Sequence, residues 1–189
     1  MARIPFVTPA DIAPNEKAAF DAFVSKRGAF PGNGPYATIA HLPHIAQLLD
    51  ELRLALRDEA SLAQPIQELV MITVAREMGC GYIWHAHAAG ARKKGVRGDI
   101  IDNLREQRPL TGLDADQQAA VDYTRELLRE RKVSRATFDR ATTCFGQRGT
   151  ITLTNLVACY AVLAYNMNTY EVTAPTNATE GGAEKPLPA

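Results

Sequence analysis

Along most of this chain, apolar residues recur at spacings of three and four, the period of a helix with one buried face. Proline or glycine punctuates nearly every run. Residues 1–13 hold Pro5 and Pro9 and read as extended. A helix is predicted from Pro14, with Ala18, Ala19, Phe20, Ala22, Phe23 and Val24 on its apolar face and Gly28 as its stop. Residues 30–35 are turn formers, and residues 36–41 read as a short apolar turn. Pro43 opens a helix to Arg57 in which Ile45, Leu48, Leu49, Leu52 and Leu56 share one face. Pro65 opens another. Its run of Ile66, Leu69, Val70, Ile72, Thr73 and Val74 resembles a strand. Its length, its opening proline and the charges at Glu68, Arg76 and Glu77 make it a buried helix, stopped at Gly79. A fresh helix begins at Cys80–Gly81 and ends at Lys94–Gly95, and a short one covers 99–106. Asp114 and Ser134 are the N-caps of two more, the second broken at Gly146 and Gly149. Residues 150–171 read as a long core helix. From Thr173 onward Pro, Gly, Thr, Asn and Glu dominate, which predicts a flexible, disordered tail over 173–189. No hairpin or strand pair is signalled. The predicted fold is therefore all-α, a bundle of seven or eight helices in a single domain over 1–172.

Composition narrows the function classes. A chain of 189 residues with 46% apolar and 22% charged positions can build one sizeable core. Basic and acidic residues balance at 21 each, so no electrostatic footprint for nucleic acid or an anionic membrane is present. The run Arg92-Lys93-Lys94 reads as a solvated helix end, where cations favour the dipole. No window reaches about 18 uninterrupted apolar residues, so no membrane span is expected. The N-terminal residues lack the apolar core of a signal peptide. Three cysteines without paired spacing point to a reducing cytoplasm. In that setting the acceptor triplet Asn177-Ala178-Thr179 carries no glycan.

Candidate chemistry gathers between Glu68 and Gly95. Positions 80, 83, 84 and 87 fall on one side of a helix. Cys80 and His87 lie about 10 Å apart along its axis, with Ile83 and Trp84 between them to wall a small apolar pocket. If the preceding helix folds back, Glu68 meets this face, and a carboxylate beside an imidazole orients it and raises its basicity. Cys80 sits at a helix start, where the partial positive charge favours thiolate. Cys144 and Cys159 lie in apolar runs and read as core. His85 and His87, two apart, point different ways and cannot chelate one metal. No CxxC or HExxH pattern offers a metal site, and no glycine-rich phosphate loop offers a nucleotide site.

The spacing of Glu68, Cys80, Ile83 and His87 resembles the Glu, eleven residues, Cys, two, Cys, three, His pattern of alkyl hydroperoxidase D-like (AhpD-like) proteins, with Ile83 in place of the second cysteine. Tyr82, Trp84, His87, Ala91, Gly95 and Val96 are more similar still to the carboxymuconolactone decarboxylase branch of that superfamily. The resemblance implies an all-α fold, self-association as trimers or hexamers, a small-molecule substrate, and no metal or organic cofactor. It implies catalytic roles for Glu68, Cys80 and His87, with Trp84, Tyr82 and Ile83 lining the substrate site. Arg76 is the candidate cation for a substrate carboxylate, and His41 or His44 would approach from the loop before the Pro43 helix. The leading expectation is a decarboxylase-like lyase of aromatic catabolism, acting by acid–base chemistry on a small organic acid or lactone. A second is a thiol-dependent peroxidase using Cys80 alone, an oxidoreductase with peroxiredoxin activity. A third is a non-catalytic oligomeric or ligand-binding protein. Ile83 removes a resolving thiol, so an intramolecular CxxC cycle is excluded.

Overall fold

In the helix Gln64–Glu77, residues 66–75 are buried without interruption. A helix apolar on every side must be enclosed by others, and this one is the centre of the fold. The computed structural model describes residues 2–175 and 184–188. Eight α-helices occur among them: α1 Lys17–Arg27, α2 Pro35–Ile39, α3 Pro43–Asp58, α4 Gln64–Glu77, α5 Gly81–Lys93, α6 Gly98–Arg105, α7 Ala115–Glu130 and α8 Arg135–Thr169. Helices α5, α7 and α8 surround α4, α3 lies on α8, and α1 on α3. No strand occurs among the described residues, and the all-α prediction holds.

Local chemistry sets most boundaries. Prolines stand in the first turns of α2, α3 and α4, where a missing N–H costs nothing. Asp114 and Gln117 form a reciprocal capping box on α7, and the Ser134 hydroxyl accepts from Thr137 N–H at the start of α8. Gly28 ends α1 in the left-handed region. Helix α1 starts at Lys17 rather than Pro14, because residues 14–16 form a turn first. Helix α8 is broken at Gly146 (φ 66°, ψ 178°), as its glycines predicted. At Gly149 an added Cβ would lie 3.0 Å from the Ser61 carbonyl oxygen, so that glycine lets α8 press on the α3–α4 loop.

One cluster of buried apolar residues runs from Val7 to Val172. The extended N-terminal segment joins it through Val7 N–H to the Ala37 carbonyl and Arg3 N–H to the Tyr170 carbonyl. By length and composition α8 could cross a membrane, which counting uninterrupted apolar residues missed. However, 61% of its most apolar window is buried inside the molecule, so its composition is that of a core helix. The flexible tail expected over 173–189 fails at residues 184–188. Lys185 offers its carbonyl to Trp84 Nε1 at 2.9 Å, Pro186 offers its carbonyl to Arg105, and Leu187 packs on the core. The triplet at 177–179 lies outside the described residues.

Candidate active site

Glu68 is 2% exposed, and as the second residue after the Gln64-Pro65-Ile66 start it sits on the wall of α4 that α5 covers. Both carboxylate oxygens are engaged. Oε2 lies 2.9 Å from His87 Nδ1 of α5. Oε1 accepts from Lys94 Nζ at 2.7 Å and from Arg57 Nη2 at 3.1 Å. Burial opposes ionisation of Glu68, but the hydrogen bonds and charges of His87 and Lys94 outweigh it and hold the carboxyl at a pKa of about 2. Glu68 is therefore an anion at neutral pH, and it accepts the Nδ1 proton of His87. That bond fixes the tautomer and leaves Nε2 as the open nitrogen. The Tyr160 ring meets His87 edge-on, with centroids 5.2 Å apart.

Arg57 is the last basic residue of α3, and its position depends on the α3–α4 loop. The buried Gln67 amide donates to the carbonyls of Arg57 at 3.2 Å and Leu62 at 3.1 Å. It staples the end of α3 to α4 and so aims Arg57 at its neighbour Glu68. Lys94 lies seven residues after His87, two turns along the same face of α5. The basic run thus splits. Lys94 turns inward to Glu68, while Arg92 pairs with Glu184. The solvated-end reading fails for Lys94, whereas Arg92 is exposed as that reading expects.

The sequence-predicted residues fare unequally. Glu68 and His87 meet as expected. Arg76 does not reach them: it lies eight residues further along α4, about 12 Å along the axis, with its Nε buried and unpartnered. Arg57 and Lys94 supply the cations instead. His41 is also elsewhere. Its Nε2 lies 3.0 Å from the Pro5 carbonyl oxygen, on a cleft of about 400 Å³ shared with Leu42, Ile45 and Val162. His44 is exposed. Tyr82 donates to Asn33 at 3.0 Å and pins the loop before α2 to the start of α5. Trp84 is 1% exposed and sealed beneath residues 184–188.

Cys80 needs the largest correction. It is the N-cap of α5, and the N–H groups of Ile83 and Tyr82 stabilise its thiolate. Complete burial, at 0% exposure, outweighs them and pushes the thiol up. No hydrogen bond joins it to Glu68 or His87. Ile83, in the second-cysteine position, is buried as well. Cys144, read as core, is half-exposed. Among the described residues no group of three or more His, Cys, Asp or Glu side chains is arranged to hold a metal ion.

With this geometry fixed, residues 43–126 match the Carboxymuconolactone decarboxylase family. That span contains α3 to most of α7, and with them Arg57, Glu68, His87 and Lys94. No curated protein sequence matches the chain. Among solved structures, an uncharacterized peroxidase-related protein from Silicibacter sp. TM1040 superposes with a TM-score of 0.71 at 16% identity, over 96% of this chain and 95% of the other. An uncharacterized peroxidase-related protein from Ralstonia eutropha JMP134, described as an alkylhydroperoxidase AhpD core, gives 0.70 at 16% identity, over 93% of both chains. The debrominase Bmp8, as a cysteine-to-alanine variant bound to 2,3,4-tribromopyrrole, gives 0.69 at 13% identity, over 92% of this chain and 91% of the other. The fold is AhpD-like, and the match to the Carboxymuconolactone decarboxylase family falls on its central helices.

Proposed function

We propose that the protein is a cofactor-free acid–base enzyme, a decarboxylase-like lyase that acts on a small organic acid or lactone bearing negative charge. The observation that carries this reading is the 2.9 Å contact between His87 Nδ1 and the buried, ionised Glu68. A carboxylate held this way keeps His87 Nε2 ready to take a proton from a bound substrate, and it stabilises the imidazolium that results. Arg57, Lys94 and Glu68 together leave one positive charge in excess, which favours an anionic ligand. Three unpaired cysteines fit a cytoplasmic setting.

The peroxidase reading has less support. Its thiol would have to ionise in a site at 0% exposure, and Ile83 supplies no partner sulfur. The test is ultraviolet monitoring of the loss of a lactone carboxylic acid such as 4-carboxymuconolactone, alongside peroxide consumption with added thiol. Turnover in the first assay that falls at least about a hundredfold in His87→Gln supports the proposal. Peroxide turnover abolished by Cys80→Ser, with no lactone loss, overturns it.

A further inference from the structure

Among the few buried side-chain atoms without a hydrogen-bond partner, the Tyr160 hydroxyl is the one on a ring that touches His87. Tyr160 is 1% exposed on the inner face of α8, and its oxygen has no hydrogen-bond partner among the described residues. A buried hydroxyl with no partner is destabilising by roughly 1–3 kcal/mol, which makes an unused one a feature to explain. Its ring touches His87, and the charges of Arg57, Arg53 and Glu68 all reach it.

The surroundings hold more donors than acceptors. Arg57 uses one of its N–H groups on Glu68, and its others make no hydrogen bond among the described residues. A turn or two back along α3, Asp50 is held by Arg27 and Arg53. Four cations, Arg27 at the end of α1, Arg53 and Arg57 on α3 and Lys94 at the end of α5, therefore pair with two buried carboxylates. Glu68 makes no hydrogen bond to Tyr160, and His87 Nε2 has no partner among the described residues. Burial pushes the tyrosine hydroxyl up to about 12, so it remains a donor at neutral pH.

We propose that the Tyr160 hydroxyl and the unused N–H groups of Arg57 form a subsite that takes a carboxylate of the substrate and holds it beside His87 Nε2. This rests on the acid–base reading above and deepens it by naming the recognised group. A guanidinium fork and one hydroxyl match the two oxygens of a carboxylate. A ligand enters past Lys94 and Arg57, whose side chains are 30% and 28% exposed.

Sodium acetate is the probe, with sodium chloride at equal ionic strength as control. The readout is the His87 ring resonance at pH 7, assigned through His87→Gln. Acetate should shift that resonance saturably and chloride should not. Tyr160→Phe should weaken acetate binding about tenfold or more, the size of a hydrogen bond to a charged group. Because the hydroxyl has no partner among the described residues, the same variant should keep or raise the melting temperature. Unchanged acetate affinity in Tyr160→Phe overturns the subsite while leaving the Glu68–His87 chemistry standing. A melting temperature lowered by several degrees overturns it too, since the hydroxyl would then be a structural donor. No saturable acetate shift in the unaltered protein overturns both the subsite and the anionic substrate.

Discussion

At Glu68 two opposing effects meet, and their balance has a pH signature. Burial would raise the carboxyl, yet His87 and Lys94 draw it down from 4.5 to about 2. A pKa lower in the folded than in the unfolded chain contributes stability above the unfolded value, and that stability is lost as pH falls through the folded one. The window is therefore about pH 4.5 down to about 2. A shift of that size is worth about 3 kcal/mol. Glu68→Gln should be less stable at pH 7 by roughly that amount, since Arg57 and Lys94 would face each other without their counter-charge. Its stability should also change less between pH 5 and pH 2. Urea unfolding of both proteins across that range is the measurement, and parallel acid losses would refute the assignment. The pair itself was legible in the sequence, because Glu68 and His87 stand on helices whose punctuation is local and whose spacing resembles a known pattern. Arg57 and Lys94 were not legible. Their approach depends on how the Gln67 staple closes the α3–α4 loop and on which way a surface-looking basic run turns.

At the scale of the element, Cys80 shows where local reasoning stops. A helix N-terminus favours thiolate by less than about 1 kcal/mol at exposed sites, whereas full burial can raise a thiol by several pH units. Periodicity places Cys80 at the start of α5 correctly, but only the packing of α4 and α5 shows that nothing there is open to water. Cys144 was misjudged in the opposite sense. It precedes the break at Gly146, so its short arm of α8 leaves it half-exposed, with Sγ 3.7 Å from the Ala115 carbonyl oxygen. Brief alkylation of the native protein at neutral pH should therefore label Cys144 first. Cys80 and Cys159, at 0% and 2% exposure, should label only on unfolding. Peptide mass mapping after a short pulse decides this, and early modification of Cys80 would restore it as a reactive thiol. The same contrast holds for residues 184–188. Their composition is that of a tail, and only the Trp84 indole N–H on α5 and the Arg105 guanidinium on α6 give them hydrogen-bond partners.

For the whole molecule the informative surface is apolar. On α3, Ile45, Leu48 and Leu52 are 51%, 51% and 46% exposed. On α8, Ile151, Val162 and Tyr165 are 56%, 44% and 65% exposed. The α3 set repeats at the three-and-four spacing that elsewhere in the chain marks a buried face, and on α8 Val162 and Tyr165 lie three apart. Helices α3 and α8 pack on one another, and a cleft lined by Ile45, Leu49 and Val162 joins the two stripes. A contiguous apolar patch of this kind is costly in water and marks an interaction surface. A second copy of the chain is the partner that the family resemblance implies, as a trimer or hexamer. A stable contact needs about 800 Å² from each partner, which two adjacent helix faces of 16 and 35 residues are long enough to supply. Light scattering at micromolar concentration should therefore give a small whole-number multiple of 20.6 kDa. Placing a carboxylate at the centre of each stripe, Leu48→Glu with Val162→Glu, should return the mass to that of one chain while circular dichroism stays helical. Both positions are exposed, so the bundle itself loses little. A mass of 20.6 kDa for the unaltered protein under the same conditions would refute self-association through this face.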